Sequence, residues 1–332
     1  MILTDSLNIE NRHTWDIAKA CGVTTGDVRL PEKDFDVTDF SQMKGFYDTF
    51  VSEGITPIAI EPMPNHLHDH IKTADDKRDE SIEKVIKMFA NLDKLNVRLI
   101  CFNWMAHVGW CRTSSDLMER GGSSVTGFDL EEYEKNGNIA SFDGREKCIT
   151  KRELWDNYEY FINAVMPYAD KYNIKMALHP DDPPLERLGK VERIMTSYEN
   201  INKAINLYKS DNLGVTFCQA TYYTMGEDLY KVIPLLKDKI FFVHFRNVIG
   251  NKYKFRETCH DNGSIDMAKA LKCYIDNGID VPIRVDHVPT LASEKSNKVG
   301  YGDLGRLYAI GYLKGLLDGL EKTVELKIKK EG

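Results

Sequence analysis

Residues 240–247 read IFFVHFRN. Four apolar residues in succession, without polar alternation, suit a strand of a parallel sheet covered on both faces. The run closes on His244. Working outward, the same form returns as KMALHPDD at 175–182, LGVTFCQ at 213–219 and PIRVDH at 282–287. Each is a short, largely apolar run closed by a side chain that can bind metal: His179, Cys218 and Asp286.

Further strands are expected at Thr56–Glu61 and Val97–Trp104, with a weaker one near Thr24–Arg29 and a very weak one at Met1–Thr4. Helical spacing lies between them. In Asp79–Leu95, Ile82, Val85, Ile86, Phe89 and Leu92 form one apolar stripe at three-to-four spacing. Similar patterns cover Lys151–Tyr172, Val191–Tyr208, Asp266–Asn277 and Leu304–Leu320. Strand and helix alternating about eight times predict a closed (β/α)8 TIM barrel. A doubly wound open sheet would place a GxGxxG turn after its first strand, and the sequence has none. No Pro/Gly/Ser-rich linker divides the chain, so residues 1–332 are expected to form one catalytic domain. Two long irregular stretches, Ala106–Gly144 and His287–Gly302, follow strands and are expected as loops over the C-terminal mouth.

The 332 residues are 42% hydrophobic and 29% charged, enough for a large core under a solvated surface. No run approaches the roughly 18 apolar residues of a membrane helix, and no secretory signal is evident at the N-terminus. A net charge of −7 with scattered lysines argues against nucleic acid as a partner. The seven cysteines are odd in number, irregular in spacing and free of CxxC pairs. They suit a reducing cytoplasm better than a disulfide scaffold or a zinc knuckle.

A parallel barrel sends all its strand ends to one face, and neighbouring strands lie roughly 4.8 Å apart. His179, Cys218, His244 and Asp286 can therefore meet at one ion. Two imidazoles, a thiolate and a carboxylate suit Mn²⁺, Fe²⁺, Co²⁺ or Zn²⁺; the thiolate argues against Mg²⁺ or Ca²⁺. Separate structural uses (a buried cysteine, a hydrogen-bonded histidine, a capping aspartate) stand beside that reading on periodicity alone. His66, His68 and His70 in NHLHDH also look like a metal tract; His66 is expected at the mouth and the others in solvent.

ALHPDDPP, GVTFCQAT, FVHFRNV, CHDNGSIDM and RVDHVPT, with HDHIKTADDKRDE and CFNWMAHVGWCRTSS upstream, resemble the signature segments of the mannonate dehydratase family. They occur in the same order from about Ile55 to Leu320. That family lies in the xylose isomerase-like TIM barrel superfamily. The resemblance implies His179, Cys218, His244 and Asp286 as metal ligands, usually of Mn²⁺, and His287 and Tyr301 as the catalytic pair. It also implies a homodimer or larger assembly. The chain departs from the family in lacking an Arg-Trp-x-Gly segment on its first strand. DVRLPEKDF follows the second strand, Val288 replaces a Gly, and Ala106 and Gly109 replace Pro and Asp.

The implied reaction takes water from an aldonate to give a 2-keto-3-deoxy acid. It needs a base for the C2 proton, an acid for the C3 hydroxyl and a cation for the developing charge. His287 and Tyr301 share the acid and base roles, in an order the residues leave open. Arg112 and Arg246 are candidate carboxylate clamps. Asn103, His66, Asp181 and His260 are candidate substrate contacts, with Asp182 and Asp261 beside them. A sugar isomerase or epimerase on the same metal barrel, or a sugar-acid binding homologue without turnover, are the alternatives.

Overall fold

A computed structural model describes residues 1–136, 148–294 and 300–331, with side chains through Glu321. In chain order its strands are β1 Ile2–Leu3, β2 Asp5–Leu7, β3 Thr25–Val28, β4 Thr56–Ile60, β5 Leu99–Asn103, β6 Ser114–Met118, β7 Ser124–Asp129, β8 Lys175–His179, β9 Arg187–Leu188, β10 Val191–Glu192, β11 Leu213–Cys218, β12 Ile240–Phe245, β13 Val248–Asn251, β14 Lys254–Glu257 and β15 Pro282–Val285. The helices are α1 His13–Ala20, α2 Phe40–Val51, α3 Asn65–Thr73, α4 Arg78–Lys94, α5 Leu130–Asn136, α6 Lys151–Tyr172, α7 Tyr198–Ile205, α8 Gln219–Met225, α9 Leu229–Leu235, α10 Met267–Asp276 and α11 Asp303–Glu331.

Nine strands run parallel in the order β1-β15-β12-β11-β8-β5-β4-β3-β2. β1 and β2 are one strand broken at Thr4, whose N–H donates to Ile283 O (2.9 Å) and whose Oγ1 donates to Thr25 O (3.0 Å). That residue joins the first and last members of the sheet, and the ring closes as a TIM barrel. β11 and β12 are buried at every position, as their unbroken apolar runs require. Thr150 and Glu153 form a capping box at the start of α6.

Alternation along the strands sorts the side chains. Ile100, Phe102, Met176 and Leu178 join the large core beneath the helices. Ala59, Cys101, Ala177 and Phe242 belong to a separate cluster inside the ring. Two residues further on, the same inward face presents Glu61, Asn103, His179 and His244. The barrel interior thus ends in polar side chains at the C-terminal mouth.

The stretch from Ala106 is not the irregular loop expected. β6 and β7 pair antiparallel, and β14 joins β7, giving a four-stranded sheet β13-β14-β7-β6. It joins two hairpins, β6–β7 and β13–β14, from loops distant in sequence. Gly137 and Gly144 of that stretch lie outside the described residues, as do residues 295–299 of the second loop. The helix expected over Val191–Tyr208 shrinks to α7. Val191–Glu192 pairs with Arg187–Leu188 instead, and the Ser197 side chain accepts from Asn200 N to start the helix.

A Cβ on Gly214 would sit 2.3 Å from Lys239 O and 2.6 Å from the Phe241 ring. Gly214→Ala is expected to destabilise the barrel by about 1–3 kcal/mol, read as a lowered urea midpoint. An unchanged midpoint would show that β11 and β12 can separate at their start.

Candidate metal centre and catalytic pair

The ligand atoms of His179, Cys218 and His244 lie within 4.8 Å of one another. His179 Nδ1 lies 2.7 Å from Pro180 O, so Nδ1 carries the proton and Nε2 keeps its lone pair. Burial pushes the His179 pKa down, favouring the neutral donor form. Burial would raise the Cys218 thiol, yet Arg246 and His244 outweigh it and the net direction is down, toward thiolate. Arg246 Nε donates to Cys218 Sγ (3.2 Å), as does Thr221 Oγ1 (3.1 Å). Glu61 Oε1 lies 2.7 Å from His244 Nε2 but out of line, so both His244 ring nitrogens are buried without an aligned hydrogen bond. Orphaned imidazole nitrogens beside a thiolate are what a divalent ion of the Mn²⁺ to Zn²⁺ series would satisfy.

Asp286 adjoins this group, with Oδ2 3.8 Å from His244 Nδ1. Its Oδ1 accepts from Arg284 Nη1 (2.9 Å) and from the Tyr301 hydroxyl (3.1 Å). Burial opposes its charge, but His287, Arg284, His244 and Arg246 hold it well below the usual carboxylate range. Burial and then Asp286 raise the Tyr301 phenol above its ordinary value, so it stays protonated.

His287 has φ +39, a left-handed conformation that only its surroundings can maintain. Its Nδ1 lies 2.9 Å from Glu257 Oε1 and 3.0 Å from Arg246 Nη1. A guanidinium cannot accept, so Nδ1–H donates to Glu257 Oε1 and Nε2 is left with a lone pair. Tyr301 stands edge-on to the imidazole at 5.5 Å between centroids, and Trp110 covers it at 5.1 Å. His287, Tyr301, Asp286, His179, His244, Asn103 and Trp110 line a cavity of about 590 Å³ at the mouth.

The other expected contacts stand elsewhere. Arg112 is saturated: it donates to both Asp182 oxygens (2.7 and 3.0 Å) and to Glu257 Oε1 (2.6 Å). Arg246 donates to Glu257 Oε1 and Asp182 Oδ2, each at 2.5 Å. Neither guanidinium lines the cavity. Asp181 accepts from Met195 N, and His260 Nε2 is bonded to Phe245 O, both deeply buried. His66 pairs with Glu32 outside the cavity, His68 is buried against Pro64 O, and His70 pairs with Asp75. Asp261 forms a bidentate pair with Arg120.

Three participants escaped the sequence reading. Arg284 joins Glu61 and Asp286. Lys72, fully buried, donates to Asn103 Oδ1 (3.1 Å) and Met105 O (3.1 Å). Glu257 holds His287 from β14. The one available signal for Glu257 was an acid sharing a strand face with Phe255, where alternation calls for an apolar residue.

The family model of D-mannonate dehydratase (UxuA) matches residues 15–143 and 132–327. The chain is 34% identical to a mannonate dehydratase of Brachyspira hyodysenteriae, covering 77% of this chain and 80% of that protein. It is 31% identical to the Streptococcus uberis enzyme over 97% of each. The crystal structure of mannonate dehydratase from Streptococcus suis serotype 2 superposes with TM-score 0.86 at 25% identity, covering 98% of this chain and 96% of that one. An L-ribulose 3-epimerase shares the barrel alone, with TM-score 0.60 at 14% identity, covering 98% of this chain and 97% of that one.

Burial opposes the charge on Glu257, but Arg246, His287 and Arg112 bring its pKa down from 4.5 to about 2. A depressed folded-state pKa adds stability above the ordinary carboxylate range and loses it as pH falls. Between pH 4.5 and about 2, the urea midpoint of the wild type should fall more steeply than that of Glu257→Gln. Parallel slopes would show that Glu257 is not held charged by these partners.

Proposed function

The chain belongs to the D-mannonate dehydratase family, and from that premise we propose that it is a metal-dependent hydro-lyase converting D-mannonate to 2-keto-3-deoxy-D-gluconate and water. The observation that carries this reading is the His179–Cys218–His244 group, with His287 and Tyr301 lining the same cavity and both approaching Asp286 Oδ1. His179, Cys218, His244 and Asp286 would hold the ion, with Mn²⁺ first among the candidates and Fe²⁺, Co²⁺ and Zn²⁺ behind it. When bound, the ion supplies positive charge that stabilises the enolate-like character developing beside the substrate carboxylate.

His287 is the base. Glu257 fixes its Nδ1 proton, and Nε2 accepts the proton from C2. Tyr301 is the acid, because its phenol remains protonated and donates toward the departing C3 oxygen, which leaves as water. Asn103 has its Oδ1 occupied by Lys72 Nζ and Met105 N (3.1 Å each), so its amide N–H groups are turned to a substrate oxygen. Arg112 and Arg246 position Glu257 and Asp182 in place of clamping substrate. The whole chain, 1–332, acts as one catalytic domain in a homodimer or larger assembly. All seven cysteines are free, which suits a cytoplasmic setting. No helix among the described residues is long and apolar enough to cross a membrane.

The two roles separate in D₂O. His287→Asn should abolish both dehydration of D-mannonate and deuterium uptake at C2. Tyr301→Phe should lower dehydration by roughly 10²–10⁴-fold while uptake at C2 persists. The reverse pattern would exchange the assignments, and full turnover in both variants would remove them. Metal analysis of Cys218→Ser should show lowered retention of the ion after dialysis, with the wild type keeping about one equivalent per chain.

A further inference from the structure

Each strand of the ring ends in one inward polar side chain: Asn8 after β2, Arg29 after β3, Glu61 after β4, then Asn103, His179, Cys218, His244 and, after β15, Asp286. Arg29 shares the inward face with Asp27, two residues earlier. In ring order β3 stands four strands from β11 in either direction, counting β1 and β2 as one. Arg29 therefore stands opposite Cys218 and faces the metal group from across the mouth. It lines the cavity and is exposed to it. Among the described residues it has no ion pair or hydrogen bond. Of the carboxylates near it, Glu32, whose charge Arg29 helps to hold, pairs with His66 (3.1 Å), while Asp27 and Glu61 face Arg284 (3.5 and 2.9 Å).

The surrounding wall is rich in donors. Asn8, Asn11, Thr14, Asn65 and Arg306 line it with Arg29. Helix α1 starts here; its N-cap residue Arg12 makes no side-chain cap, and Thr14 N and Trp15 N donate to Asn11 O and Arg12 O (3.2 and 2.9 Å). Arg306 is 6% exposed; Nη1 donates to Asp5 (2.7 Å) while its buried Nε has no partner. Of the carboxylates lining the cavity, Glu61 follows β4 beside Arg29, its charge taken up by Arg284 (2.9 Å), while Asp182 and Asp286 face Arg246 near the metal group. Asp303, near His13 at 3.5 Å, lies outside the lining.

An aldonate bound by its carboxylate at the metal group would present a neutral CH₂OH to this wall. We infer that the wall is a second anion subsite, and that the chain prefers sugar acids bearing an anionic group on the carbon remote from the reacting end. The inference rests on the dehydratase reading, and the elimination across C2 and C3 is unchanged by it. A second carboxylate and a phosphate share this chemistry.

The metal-loaded enzyme should be assayed on D-mannonate, on D-mannarate (its C6 carboxylate analogue) and on 6-phospho-D-mannonate. At least one dianion should exceed D-mannonate in kcat/KM by about ten-fold or more at low salt, and which one does so identifies the terminal group. Arg29→Gln should bring that ratio toward one. Equal or lower kcat/KM for both dianions, or a ratio unmoved by Arg29→Gln, overturns the subsite. Failure of all three acids to lose water overturns the dehydratase reading instead. Calorimetric binding of the same acids then decides the subsite separately, by the same ten-fold preference or its absence.

Discussion

Arg246 is 2% exposed and cannot shed its charge, so its five N–H groups must find acceptors inside the protein. Those acceptors are Cys218 Sγ, Glu257, Asp182 and Thr221 Oγ1. A cation buried here without them would cost several kcal/mol. The same contacts tie two parts of the site together. One edge of the guanidinium favours the thiolate of the proposed metal group. The other positions Glu257 against His287. Arg112 repeats the arrangement from the far side, so both acids are shared between two guanidiniums. The network is stiff because each member is needed to neutralise another.

This rigidity explains how a strained residue persists at the position proposed for the base. His287 at positive φ would relax if its ring were free. Glu257 holds Nδ1, Trp110 and Tyr301 flank the ring, and Val288 N donates to Gly300 O at 2.7 Å on the next residue. The close fit of the loop shows also at Gly305, where a Cβ would lie 1.9 Å from Pro289 O.

Legibility followed periodicity. β8, β11 and β12 coincide with the expected Lys175–His179, Leu213–Cys218 and Ile240–Phe245, because a strand buried on both faces has to be written as an apolar run. Lys151–Tyr172 matches α6 for the corresponding reason on a helix. The first strand was barely visible, since it consists of two fragments around Thr4 whose partners are β15 and β3. The four-stranded sheet over the mouth was invisible: β6 alternates poorly and β14 is more than a hundred residues away in sequence. Arg112 and Arg246 were legible as important guanidiniums but not as saturated ones, because Asp182 comes from another loop to both, and Glu257 comes from another loop to Arg112 and reaches Arg246 only through the β13–β14 hairpin. Sequence proximity carries no information about such pairs.

The division of supports bears on what reaction a barrel of this kind performs. The imidazole–thiolate group stands on ring strands, and a barrel of the same architecture also underlies an epimerase. A bound cation can acidify a C–H beside the group it polarises whatever follows, so the ring strands by themselves do not select between moving a hydrogen and expelling water. Expulsion needs a protonated group at C3 as well as a base at C2. In this chain the residues proposed for those roles, Tyr301 and His287, both stand on the loop after β15, and His287 is oriented by Glu257 from the sheet over the mouth. On the proposed assignment, the commitment to elimination resides in the segments that cover the barrel. Those segments are also where ordinary periodicity gives the least guidance.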